Sequence, residues 1–139
     1  MLRALEVSTS ALIAQGTRLN AVSGNIANIS SLTDETGAAN PYKAQEVVFQ
    51  TDESISTKGA PGVKVSVIKI SDNEPQYCYQ PKHPLAIKEG KWKGYVAYPD
   101  IDLTTQMVDA LESTRAYEAN VGVMEITKNL SRETLTVLA

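Results

Sequence analysis

The sequence predicts an α+β fold in which two long terminal helices pack as a coiled-coil-like pair around a small, loop-rich β module inserted between them. Three observations carry this. From Leu103 onward there is no proline, and Gly122 is the only glycine; apolar residues recur there at three- and four-residue steps. Near the start of the chain Leu5, Leu12, Leu19 and Ile26 recur every seven residues, with no proline before Pro41. Between these segments, short alternating apolar runs are separated by clusters of Gly, Pro, Asn and Asp, the pattern of strands and turns. Residues 1–30 and 99–139 are expected to form one discontinuous helical core, and residues 31–98 the β-rich module.

Length and composition bound the rest. At 139 residues, 42% apolar and 21% charged with a net charge of −3, the chain suits one domain or two small ones. Lys and Arg form no long basic run, so nucleic-acid binding has no compositional support. No 18-residue apolar stretch exists to cross a membrane. Met1-Leu2-Arg3-Ala4-Leu5-Glu6 is not a basic segment followed by an apolar run, so no cleavable secretory signal is predicted. Read alone, that indicates the cytoplasm; a specialised export route leaves the same trace. The single Cys78 excludes an internal disulfide and a multi-cysteine metal site, and is expected as a small, half-buried strand residue.

The first helix reads as about 27 residues, ~40 Å long. Gly16, Gly24, Asn20, Asn25 and Asn28 are poor helix formers, each costing several tenths of a kcal/mol against alanine and glycine about 1. The helix is therefore expected to form mainly when packed. Ser30–Asn40 reads as an exposed loop, and Gln45–Gln50 as a strand. Gly59-Ala60-Pro61-Gly62 is a turn cluster; it leads into a strand, so it is no phosphate-binding loop. Val63, Val65 and Val67 alternate with polar residues, but Ile68 and Ile70 fall on the other phase, which predicts a bulge near Val67–Ile68. After a turn at Asp72–Pro75, Gln76–Gln80 alternates with Tyr77 and Tyr79 on one face. Pro81-Lys82-His83-Pro84 breaks that strand, Ala86–Lys93 is a Lys-rich excursion, and Trp92–Tyr98 holds a last short strand.

The C-terminal helix carries two apolar stripes. Tyr117, Val121 and Met124 lie on one face; Ala119, Val123, Ile126 and Leu130 lie nearly opposite, at about 100° per residue. A helix apolar on opposed faces is buried on both, and a chain this short has little core to cover them. The first stripe is expected against the chain's own N-terminal helix, the second against a neighbouring subunit.

Little here supports an enzyme; no catalytic, cofactor-binding or metal-ligating residue is expected. His83 is the only histidine and sits in a turn. Asp34/Glu35 and Asp52/Glu53 read as solvating loop charges, while Asp100 or Asp102 is placed to cap the long helix. Tyr77, Tyr79, Trp92, Tyr95 and Tyr98 read as sheet packing in preference to a base-stacking surface. Asn20, Asn25 and Asn28 border the apolar stripe of the first helix, where a buried Asn selects register and partner; a solvated flank, or a helix end for Asn28, is the competing account. Gly16, Ala21 and Gly24 would admit a second helix closely.

Two stretches resemble a known family. Ala11-Leu-Ile-Ala-Gln-Gly-Thr-Arg-Leu-Asn-Ala-Val-Ser-Gly-Asn-Ile-Ala-Asn28 is similar to the N-terminal signature of the flagellar basal-body rod family, and Ser113-Thr-Arg-Ala-Tyr-Glu-Ala-Asn-Val121 to its C-terminal signature. Asn40–Gln50, Gly62–Val67, His83–Ala86 and Gly94–Asp100 look like its short, proximal-rod members. The resemblance implies a structural subunit of the rod that transmits torque across the periplasm, exported through the flagellar type III apparatus without a cleavable signal peptide. Its partners would be other copies of itself, other rod proteins and that export apparatus, with no nucleic acid, cofactor or membrane span. It implies subunit contacts at Leu12, Leu19, Asn20, Val22, Asn25, Ile26, Ala27 and Asn28, and at Tyr117, Asn120, Val121 and Leu130; the two-faced helix adds Val123 and Ile126. A soluble helical adaptor or export chaperone of the flagellar secretion system is the alternative, and a small hydrolase built on His83 a distant third.

Overall fold

The computed structural model describes residues 2–55 and 61–138; Gly59 and Ala60 of the expected turn cluster lie outside them. In chain order the elements are α1 (Leu2–Ala27), β1 (Gln45–Asp52), a 3-10 turn (Glu53–Ile55), β2 (Gly62–Ile70), β3 (Gln76–Tyr79), β4 (Tyr95–Tyr98) and α2 (Leu103–Leu138). The architecture is the expected α+β one, with two antiparallel two-stranded sheets between the helices among the described residues.

Asp102 starts α2. Its carboxylate accepts the backbone N–H groups of Thr104 and Thr105 at 3.2 and 3.1 Å and the Thr105 hydroxyl, satisfying donors that no helical carbonyl reaches. The Thr105 hydroxyl, and then those N–H groups, hold the carboxyl below the usual carboxylate range. Asp100, the other candidate cap, instead accepts the side chains of Asn73 and Gln76 at 3.0 and 2.9 Å, which moors the β3 end of the module to the foot of α2. α1 ends where Asn28 donates its side-chain amide to the Gly24 carbonyl at 2.9 Å.

β1 and β2 pair antiparallel with a register shift that leaves Ser66 unpaired between Val65 and Val67. The bulge therefore falls one residue before the predicted place. Its effect is the predicted one: Val63, Val65, Ile68 and Ile70 all share a face with Val47 and Phe49. That face meets α1. The Arg18 guanidinium lies 4.4 Å from the Phe49 ring centroid, and Ser10 Oγ accepts the Val63 N–H at 3.1 Å while donating to the Val7 carbonyl. Gly62 makes the approach possible, because a Cβ there would come within 2.7 Å of Ile55 and 2.9 Å of Ser10 Oγ. In the second sheet Tyr77 stacks on Trp92 (centroids 4.3 Å apart) and Tyr79 meets Tyr95 edge-on, the packing read from the sequence. Cys78 departs from expectation: it is exposed, since a two-stranded sheet leaves its edges uncovered.

The interior is small and polar. The buried apolar residues are Ala14, Ala21, Val22, Val96 and Ile101; Asn25 and Ser113 are equally enclosed, each 1% exposed. α1 and α2 run antiparallel, since Asn25 near the end of α1 bonds Gln106 near the start of α2 at 2.9 Å. On α2 the enclosed positions recur every seven residues: Gln106 and Asn120 are half-buried, Ser113 and Thr127 buried. This seam is made of amide and hydroxyl side chains, not of leucines. Ser113 Oγ is buried without a hydrogen-bond partner, so its desolvation is uncompensated. Ser113→Ala is expected to raise stability by roughly 0.5–1 kcal/mol, read as a higher midpoint at unchanged slope in urea unfolding.

Candidate assembly interface

Helical geometry sorts the side chains of α2 into two sets. Gln106, Ser113, Asn120 and Thr127 face α1. Val108, Leu111, Ile126 and Val137 fall on the opposite half at about 100° per residue, Val123 and Leu130 lie on the flank between the two, and all six are exposed. Exposure of isolated apolar residues is ordinary, but a contiguous stripe along a helix marks a contact surface. The helix thus has an enclosed face in which buried polar groups mix with half-buried Val121 and Met124, and an exposed side rich in Val, Leu and Ile.

The expected site residues divide accordingly. Val123, Ile126 and Leu130 lie on the exposed side, at 46%, 62% and 51% exposure. Tyr117 is exposed as well, whereas Asn120, Val121 and Met124 are half-buried on the α1 side of the helix. On α1, Leu12, Leu19, Ile26 and Asn28 are half-buried, and Asn20 and Ala27 exposed. Val22 and Asn25 are enclosed by their own chain. Asn25 is a junction: it donates to the Gln45 carbonyl and to Gln106 Oε1, both at 2.9 Å. It also accepts the Gln45 N–H at 2.8 Å and the Tyr42 hydroxyl at 3.4 Å. One amide therefore joins α1, β1 and α2. Burial raises the pKa of the Tyr42 phenol beside it. The polar border of an apolar stripe was visible in the sequence; a partner twenty residues away was not.

Two further features complete the surface. An open groove of about 900 Å³ runs between α1 and the β1–β2 edge, walled by Leu5, Ile13, Ala14, Ile55, Val63 and Val65. Gly122 sits mid-helix on α2, where an added Cβ would meet nothing within 4 Å. Glycine costs about 1 kcal/mol against alanine inside a helix, and no packing within the chain requires it here. α2 also outreaches α1. Counted from the Asn25–Gln106 contact at equal rise, roughly 35 Å of helix brings Asn129 level with the start of α1 at Leu2. Residues 132–137 lie beyond that level and are exposed.

Among the described residues no group of three or more His, Cys, Asp or Glu could hold a metal ion, and no helix is long and apolar enough to cross a membrane. His83 is spent on its own turn, its Nδ1 accepting the Leu85 N–H at 3.2 Å.

Comparison with known proteins bears on both ends of the chain. Residues 5–33 match the flagella basal body rod protein family, and residues 93–137 the C-terminal family of the flagellar basal body rod FlgEFG proteins. The chain is 40% identical over 138 residues to the flagellar basal-body rod protein FlgC of Yersinia enterocolitica, covering 99% of this chain and 97% of that one. It is 36% identical over 137 residues to FlgC of Salmonella typhimurium, with the same coverage. With FlgC of Bacillus subtilis it shares 37% identity over 146 residues, covering 96% and 95% of the two chains.

Proposed function

This chain belongs to the flagellar basal-body rod protein family and is a structural subunit of the rod, and we propose that it builds the proximal rod through its terminal helices. It acts in the flagellar basal body, assembled with other rod components. In this reading residues 1–30 and 99–139 form the helical core of the shaft, and residues 31–98 the module outside it. The neighbours are further copies of this chain and other rod proteins. The shaft crosses the periplasm and transmits torque, and the chain reaches it through the flagellar type III export apparatus.

The observation that supports assembly through α2 is its exposed apolar side, with Val123, Ile126 and Leu130 unpartnered in the single chain. Burying a Val, Leu or Ile side chain contributes about 1.5–3 kcal/mol, so a half-dozen such residues shared among neighbours favour assembly strongly. A contact between unlike faces that does not close generates a helical shaft and not a ring. The subunit contacts we assign are Leu12, Leu19, Asn20, Ile26, Ala27 and Asn28 on α1, and Tyr117, Asn120, Val121, Val123, Ile126 and Leu130 on α2. The curated relatives are themselves rod proteins and give the adaptor or chaperone reading no support.

Electron microscopy and mass spectrometry of isolated basal bodies test the assignment. The chain is expected in the rod fraction; recovery in the cytoplasm as a discrete complex, after basal bodies are complete, would overturn it. Limited proteolysis gives a second reading. Trypsin is expected to cut the dilute chain first at Arg132, beyond the support of α1, and to spare that bond in basal bodies. Equal cleavage in both states would count against burial of this end by neighbours.

A further inference from the structure

Charge is unevenly spread in this molecule. Residues 82–93 hold Lys82, Lys88, Lys91 and Lys93 against the single acid Glu89, a net charge of +3. The other nine cationic and fifteen acidic side chains leave the remainder at −6. None of the four lysines is within ion-pair distance of a carboxylate among the described residues.

The lysines are mounted on a fixed support. Ile87 and Gly94–Tyr95 are bridged by backbone bonds of 2.9 and 2.8 Å, and Gly90 and Gly94 take the positive φ values, +93° and +83°, that the turn needs. Trp92 is clamped between the face of Tyr77 and the edge of Tyr95 (centroids 4.3 and 5.4 Å). Lys91 and Lys93, both exposed, flank it. A rigid aromatic anchor between adaptable charges is the composition of an interface centre.

The complementary surface is on α2. There Glu118 and Glu125 share a flank with Arg115, a local net charge of −1 against the +3 of the tip, while Asp109 turns toward α1. Glu118 and Glu125 are exposed, seven residues apart, and therefore on one flank of the helix roughly 10.5 Å apart along its axis. Gly122 lies between them on that flank, the glycine with open space around it.

We infer that the basic, aromatic tip at Lys88–Lys93 of one subunit docks on the Glu118–Gly122–Glu125 flank of α2 in a second copy. Trp92 lies over the notch at Gly122, and Lys91 and Lys93 meet the two carboxylates. The inference deepens the rod reading and rests on it: it says how one copy meets the next, and gives the Lys-rich excursion and the mid-helix glycine a shared purpose. Complementary charge at such a contact fixes orientation and partner more than it adds affinity.

A charge exchange tests it in cells that make only the variant chain, with the amount of chain per isolated basal body as the readout. Lys91→Glu with Lys93→Glu, and separately Glu118→Lys with Glu125→Lys, are each expected to lower incorporation about tenfold, and the four together to restore it to within about threefold. Gly122→Gln is expected to raise the melting temperature of the purified chain and still to lower incorporation. In a Cys78→Ser chain, Lys91→Cys with Glu118→Cys is expected to give disulfide-linked oligomers in basal bodies, a readout that does not depend on how the charge variants fold. Undiminished incorporation, a loss that the fourfold variant does not restore, or absence of linked oligomers in basal bodies that contain the chain would overturn the docking while leaving the rod assignment intact. Capture of the wild-type chain by phosphatidylglycerol vesicles, lost in the lysine variant and not regained in the fourfold one, would assign the tip to a lipid surface instead. Absence of the wild-type chain from basal bodies would overturn both readings.

Discussion

Val123→Asp combined with Leu130→Asp is expected to abolish swimming while leaving the isolated chain folded. Both side chains are about half exposed in the single chain, so the change costs that chain within about ±0.5 kcal/mol. Its circular dichroism and melting temperature should match wild type. In an assembly, two carboxylates would enter an apolar contact without partners. An unpaired buried charge costs several kcal/mol even after relaxation, so two reduce incorporation by at least about a hundredfold. Swimming on soft agar and the chain recovered per basal body read this directly. Normal motility would mean that this face of α2 meets water in the rod.

The second large effect is at Asn25. Asn25→Ala removes two donated and two accepted hydrogen bonds and strands the backbone N–H and carbonyl of Gln45. At about 1 kcal/mol per bond, and more for a polar group left buried, the loss is roughly 3–4 kcal/mol. Domains of this size hold only 5–15 kcal/mol in all. Denaturant titration should show the fall, with β1 and the start of α2 losing hydrogen-exchange protection together. Asn25→Asp gives a sharper version. The new carboxylate would face the Gln45 carbonyl and Gln106 Oε1, two acceptors, so its charged form is disfavoured and its folded pKa raised. The deficit is then largest at neutral pH and shrinks as pH falls, because the protonated group regains a donor. A deficit independent of pH would show that Gln106 turns its amide to meet the charge.

What was legible in the sequence was what local chemistry decides. The cap of α2 could be narrowed to Asp100 or Asp102 because both stand just before an unbroken apolar periodicity; the bonds to Thr104 and Thr105 fall to Asp102. The slip between Val67 and Ile68 announced a bulge, since one face of a strand must stay apolar; the extra residue proved to be Ser66. Asn25 resisted reading for the opposite reason. Its partners, Gln45 and Gln106, lie 20 and 81 residues away, and nothing in its neighbourhood separates it from the exposed Asn20. The seam of α2 was legible only in part: Val121 and Met124 are half-buried on the α1 side as expected, but Gln106, Ser113 and Thr127 line it without any apolar signal, and most of the aliphatic residues lie outside. Such an inversion is costly for a molecule that lives alone and natural for one whose apolar burial comes from company. Cys78 was misplaced on the average habits of cysteine, which say nothing about a sheet with two strands.

The overhang of α2 gives the subunit a blunt end and a pointed end. At one end two helices and the cap at Asp102 lie abreast; at the other a single helix continues alone past Asn129 to Leu138. A tapered part can join a growing column only with its taper leading or trailing. Were every subunit to join the rod in one orientation, the taper would give the column two unlike ends.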